Sequence, residues 1–179
     1  MLTLGFFFLL QPGEYASTNN PDATPFRLCD VHLLLHQRRL DIYTCPEHEL
    51  DHATHLALEF TNQKNGVRGE LVGLGRSQHP ILCPVSAMIC RLKHLRLHNA
   101  PLTAPIYTVF APTPTAITTS ELTQRLRQAC ITIGATVGIS ADDISIRSLR
   151  SSSAMALLCA DVDTDKIRLL GRWRSEEML

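Results

Sequence analysis

The chain carries no excess of charge of either sign. Lys and Arg together number 17, as do Asp and Glu, so the formal net charge is zero. That balance does not announce a polyanionic partner through the net charge of the molecule. No apolar run is long enough to span a bilayer. The apolar start, Leu2 to Leu10, has no basic residues ahead of it and no small-residue cleavage site after it. It reads as a buried helix, and neither a targeting signal nor a membrane role follows. Cysteine pairs of the CxxC type are also lacking. The six cysteines, Cys29, Cys45, Cys83, Cys90, Cys130 and Cys159, are scattered and mostly lie in apolar stretches. They are expected to be small buried side chains in a reducing, intracellular compartment. Repeats and low-complexity tracts are missing too. With 45% hydrophobic and 19% charged residues the composition excludes disorder, and 179 residues suffice for one domain with a sizeable core.

Charge is nevertheless distributed unevenly. Lys64, Arg68, Arg76, Arg91, Lys93 and Arg96 make the middle of the chain basic, while Glu47, Glu49 and Asp51 form an acidic segment before it. A local basic face is what phosphate contact requires, and it is also an ordinary solvated surface.

Periodicity places the elements. Thr3 to Leu10 reads as a helix closed by Gln11-Pro12-Gly13-Glu14, and Arg27 to Leu35 as a first strand. His36 to Asp51 is polar and reads as a loop. Leu56, Leu58 and Phe60 alternate with Ala57 and Glu59, the period of a half-buried strand, and Val67 to Leu74 is its partner. Asn65-Gly66 between them is a hairpin signal that puts Lys64 at the tip. Ile81-Leu82-Cys83 is strand-like, and Pro84 suits the first position of a helix carrying Val85, Met88, Ile89, Leu92 and Leu95 on its buried side. Four prolines hold Ala100 to Thr115 as a loop with at most a short strand at Ile106 to Phe110. Thr118 and Glu121 fit a capping box for a helix with Leu122, Leu126, Ala129, Cys130 and Ile133 inward, ending at Gly138. Ser148 to Ala160 is a further helix, with Met155, Leu157, Leu158 and Cys159 expected to be buried. Asp163 caps a last short one that stops at Gly171.

The residues that could carry chemistry are cations at element ends. Arg147-Ser148-Leu149-Arg150 opens a helix, where backbone N–H groups and the helix dipole already favour an anion. Gly171-Arg172-Trp173-Arg174 closes the next one, and Lys64 projects from its hairpin. Fixed guanidinium and ammonium donors are the natural stabilisers of a phosphodiester under attack, whose negative charge increases in the transition state.

Taken in order, Leu9-Leu10-Gln11-Pro12-Gly13-Glu14-Tyr15, the Lys64 hairpin, Arg147-Ser148-Leu149-Arg150 and Ile167-Arg168-Leu169-Leu170-Gly171-Arg172-Trp173 resemble the successive boxes of tyrosine recombinases. The pattern is particularly similar to that of integrase-like proteins of eukaryotic mobile elements. The resemblance covers nearly the whole chain and is most specific in its two C-terminal boxes. It implies a single mainly helical α+β catalytic-type domain over residues 1–179, with a small antiparallel sheet packed beside a helical core. It further implies double-stranded DNA as partner, assembly as a homo-multimer on DNA, and no metal or cofactor. A nuclear location follows if the source is eukaryotic. By resemblance, Lys64 is the general acid toward the leaving 5′-oxygen and Arg150 the second catalytic arginine. Arg147 stands where the family usually has histidine or lysine, and arginine there donates hydrogen bonds but is no base near neutral pH. Arg172 stands at a usual histidine, and Gln11 replaces the first catalytic arginine with a neutral amide.

The family's nucleophilic tyrosine falls beyond Leu179, and Tyr15, Tyr43 and Tyr107 stand elsewhere. The chain is therefore expected to be truncated or decayed and not to cut DNA itself, although the intact parent would break and rejoin DNA through a 3′-phosphotyrosyl intermediate. A non-catalytic DNA-binding or interaction module of the same fold is the alternative. His48-Glu49-Leu50-Asp51-His52 matches the HExxH pattern of zinc proteases, which works only on a helix. The polar surroundings predict a loop, so no metal site is expected there.

Overall fold

The computed structural model describes residues 1–61 and 69–173, so the tip of the central hairpin, Lys64 included, lies outside the described residues. The architecture is α+β. The chain opens with helix α1 (Leu2–Phe7) and a single-turn helix α2 (Pro12–Tyr15), then passes through a 3-10 turn at Leu28–Asp30 into strand β1 (Val31–Leu35). The expected strand from Arg27 starts late because the Asp30 carboxylate accepts the Arg27 N–H at 2.8 Å and curls the chain first. Strands β2 (Arg38–Arg39), β3 (His55–Phe60) and β4 (Glu70–Gly75) complete an antiparallel sheet of order β2-β1-β3-β4. Its register pairs Leu58 with Val72 and Phe60 with Glu70. Alternation in β3 buries Leu56, Leu58 and Phe60 as expected, and this face packs on helix α4 (Pro84–Leu97).

Helix α4 is the central layer. Pro84 occupies its first turn, and Val85, Met88, Ile89, Leu92 and Leu95 are buried. It packs on α1, and α1 packs on helix α6 (Ser148–Cys159), which packs on helix α7 (Thr164–Gly171). A small hairpin of β5 (Thr108–Phe110) and β6 (Pro114–Ala116) leads to the long helix α5 (Thr119–Val137). Thr118 and Glu121 form the capping box, and Gly138 ends the helix in the left-handed conformation at φ 70°.

Four local expectations are corrected. The polar stretch from His36 is not a plain loop: it contains β2 and helix α3 (Glu47–Asp51). Leu50 anchors α3 in the core, and cations from elsewhere hold its acidic side. Lys93 bridges Glu47 and Asp51 at 2.9 and 2.7 Å, and Arg38 pairs with Glu49 at 2.8 Å. Arg76 donates to the carbonyls of Asp51 and Ala53. Ile81-Leu82-Cys83 forms no strand, and Ile81 is 78% exposed. The His79 ring nitrogen accepts the N–H groups of Ile81 and Leu82, and Ser77 bonds the Leu82 carbonyl, so the backbone is satisfied without a neighbouring strand. In α6 the buried residues are Ser153 and Ala154, while Met155, Leu158 and Cys159 are exposed. That helix turns its small side to α1, where the Ser153 hydroxyl donates to the Phe6 carbonyl at 2.5 Å. The cysteines divide evenly: Cys45, Cys83 and Cys130 are buried and Cys29, Cys90 and Cys159 exposed, all as free thiols.

Close packing of α1 on α2 sets the position of the site described next. A Cβ on Gly5 would lie 2.7 Å from Cζ of the fully buried Tyr15. Gly5→Ala is therefore expected to destabilise the fold by about 1–3 kcal/mol through overpacking. Gly73→Ala, whose Cβ meets nothing nearer than 3.9 Å, serves as the control expected to stay near neutral. Urea unfolding of both variants checks this; equal midpoints would mean that α1 and α2 are not tightly joined.

Candidate functional site

The chain leaves α1 through Leu9, which adopts a left-handed backbone at φ 49°, and enters α2 at Gln11. The Glu14 carboxylate accepts the Gln11 N–H at 2.7 Å, closing that turn and directing Glu14 inward. Arg147 immediately precedes α6 and Arg150 lies in its first turn. Arg172 follows α7 in a left-handed conformation at φ 57°. Gly171 before it has no Cβ, and one would sit 2.7 Å from the Trp173 ring, so the indole folds back over the end of α7.

These residues line one open cleft of about 1360 Å³, whose walls are α2 and the loop after it, α5, and α6 with the end of α7. Gln11, Arg147, Arg150 and Arg172, separated widely in the chain, all border it. Lys64 lies outside the described residues, so its place relative to the cleft is not described.

The two inner guanidiniums are held differently. Arg172 is nearly enclosed, its side chain 5% exposed, and pairs with Glu14, 15% exposed, at 3.0 Å. It also donates to the carbonyls of Leu170, Phe8 and Leu9 and lies over the Phe60 ring, 4.0 Å from its centroid. Burial pushes the Glu14 carboxyl above its usual range, opposed by Arg172, the Gln11 N–H and Arg150. Burial lowers Arg172 while Glu14 holds it up. Arg150 bonds the Gly171 carbonyl through Nη2 and stacks on Trp173 at 5.0 Å. Burial and the neighbouring Arg172 bring it down to about 10, which leaves it a cation at neutral pH. Its Nη1 is buried without a hydrogen-bond partner. An orphaned charged donor costs about 1–3 kcal/mol or more, so an acceptor anion beside it would be stabilised strongly.

Arg147 is exposed at the rim. Across the cleft, Arg127 of α5 is exposed as well and braced through Nε on the Ile144 carbonyl at 2.9 Å. Arg127 and Glu14 are the site residues that sequence reasoning did not single out. Glu14 had a signal, the spacing that caps α2 from Gln11. Arg127 had only its place on the helix face shared with Ser120, Thr123 and Gln124.

The other candidates go elsewhere. The cations of α4 face inward partners: Arg91 donates to the Ile106 carbonyl, Lys93 pairs with α3, and Arg96 donates to the Cys45 carbonyl. His48 lies on a helix, α3, contrary to the expected loop, and His52 caps its C-terminus. The His52 ring nitrogen bonds the His48 carbonyl, and among the described residues no group of three or more metal-ligand side chains gathers. No tyrosine among the described residues lines the cleft. No helix of the described residues is long and apolar enough to cross a membrane. Compared with known proteins, the chain matches no family model, no curated protein and no solved structure.

Removing Arg172 would strand a buried carboxylate, so Arg172→Ala is expected to cost about 3–5 kcal/mol of stability. Adding Glu14→Gln to that variant should recover about 1–3 kcal/mol, the signature of a coupled pair. Denaturant unfolding of the single and double variants checks this; strictly additive losses would show that the pair is not coupled.

Proposed function

We propose that this chain is the phosphate-holding core of a DNA strand-exchange domain of the tyrosine recombinase type. The observation that supports the reading is the gathering of Arg147, Arg150 and Arg172 on one cleft beside Gln11, with a buried guanidinium nitrogen of Arg150 left unpartnered. Arg150 would take a backbone phosphate oxygen, and Arg147 and the N-terminus of α6 would add donors from the rim. Arg172 would act from behind, as a buried positive charge.

In an enzyme of that type, a tyrosine oxygen would attack the phosphorus, its phenolic proton passing to water. The bond to the 5′-oxygen would break as that oxygen took up a proton, from Lys64 by resemblance. The 3′-phosphate would remain on the tyrosine. The described residues themselves favour a second reading for this chain, DNA binding without cutting by a module of the same fold. Gln11 contributes no charge, Arg172 is already paired with a carboxylate, and no tyrosine of the described residues reaches the cleft.

Binding of a short DNA duplex across a salt series tests both readings. Each of Arg147→Ala and Arg150→Ala is expected to weaken binding and to lower the slope of log affinity against log salt by about one phosphate's worth. Unchanged binding by both variants at every salt concentration would remove the cleft as the DNA site. A nicked suicide duplex offered to a version extended to carry a tyrosine separates the readings: a covalent protein–DNA adduct favours the enzyme, and tight binding without one favours the module.

A further inference from the structure

The Glu14 carboxylate lines the same cleft as Arg150 and Arg172. Its partners are the Arg172 guanidinium at 3.0 Å and the Gln11 N–H at 2.7 Å, and Arg150 is the other cation acting on it. Both bonds end on Oε2, the oxygen that remains an acceptor when a proton sits on Oε1. Protonation therefore needs no rearrangement of the turn. We infer that Glu14 is a proton-linked counter-ion of the cleft: ionised it offsets one of the two inner guanidiniums, and a bound phosphate-class anion is accompanied by uptake of a proton on its carboxyl. The inference rests on the reading of the cleft as an anion site and adds a regulation of that site by pH.

The physical argument is one of charge in a poorly screened place. With Glu14 ionised, the inner wall holds the carboxylate against Arg150 and Arg172, a net of one positive charge. With Glu14 neutral both guanidiniums act on the anion. An anion beside Arg150 in turn repels the ionised carboxylate and favours its protonated form, the same coupling seen from the other ligand. Burial pushes the Glu14 carboxyl in the same direction, towards its neutral form.

The other charged groups around it do not supply this switch. Asp30, beyond Phe26 and Phe60, is buried and holds the Arg27 N–H; Asp22 stands on the exposed loop at the rim; Glu70 of β4 acts on Arg172. Arg150, at about 10, keeps its proton throughout the relevant range. The sign is fixed. Affinity is greatest where Glu14 is neutral, falls as pH rises through the Glu14 pKa of the empty protein, and levels off once the carboxyl is ionised in both states.

Calorimetric titration of the full chain with inorganic sulfate, which does not itself titrate between pH 5 and 8, tests this; a short DNA duplex is the second probe. The expected sulfate affinity falls with rising pH by up to about tenfold per unit. Runs in buffers of differing ionisation enthalpy should show uptake of up to about one proton per sulfate on that falling limb. Glu14→Gln is expected to flatten the pH profile and to bind at pH 8 as tightly as the unaltered chain binds in acid. Binding that depends on Arg150 but has no proton uptake, or that follows the same pH profile in Glu14→Gln, overturns the inference and leaves the anion site standing. The proton count is read on the unaltered chain, so it decides the matter even if Glu14→Gln folds poorly. No binding of sulfate or duplex at any pH, or binding that Arg150→Ala does not weaken, overturns the anion site itself and the inference with it.

Discussion

The guanidinium of Arg172 ties together parts of the chain that lie up to 164 residues apart. It donates to the carbonyls that end α1, to the last turn of α7 and to the Glu14 carboxylate of α2, and it rests on the Phe60 ring of β3. A charge removed from water must keep its partners or the fold loses several kcal/mol, so this cluster cannot loosen one member at a time. The rest of the site follows from it. With Arg172 turned inward, Trp173 folds over the Cβ-less Gly171, and the indole and the Gly171 carbonyl then fix Arg150. Arg150 is left with one guanidinium nitrogen aimed at no acceptor.

Among the described residues, the cations of the first half of the chain and those of the cleft are held differently. Lys93 of α4 and Arg38 of β2 pair with the carboxylates of α3, and Arg91 and Arg96 donate to backbone carbonyls, although Arg91 Nη2, like Arg150 Nη1, is buried without a partner. Those around the cleft are backed by a single buried carboxylate, and Arg147 and Arg127 stay exposed at its rim. This is how a chain with no net charge presents a local site suited to anions. Electrostatic focusing in a cleft depends on the few charges lining it more than on the sum over the surface.

The same cleft is not uniformly polar. Ile131 of α5 and Met155 of α6 border its far side and are largely exposed, Leu158 of α6 is 38% exposed there, and Ile133 and Val137 are exposed further along α5. The helical stripe expected to bury Ile133 is buried at Leu122 and Cys130, half-buried at Leu126 and exposed at Ala129 and Ile133. Amphipathic spacing specifies that a helix has an apolar side; it does not specify how much of that side another element covers.

Local chemistry was legible in the chain itself. The alternation of Leu56, Leu58 and Phe60, the stripe of α4, the Thr118–Glu121 cap and the left-handed Gly138 depend on neighbours within a few residues, and each stands where the spacing places it. Arg147, Arg150 and Arg172 could be picked out as candidates from their places at element ends, and Gln11 from the family resemblance alone. What the tertiary structure alone decided was partnership. α3 forms because Lys93, Arg38 and Arg76 arrive from elsewhere to hold an otherwise polar segment, and Ile81 to Cys83 stays out of the sheet because side chains satisfy its backbone first. Arg172 is enclosed and paired where Arg147 remains open, although both are arginines at helix ends. The fate of a charge depends on which carboxylate, carbonyl or ring lies across from it, and that is set by packing between segments far apart in the chain.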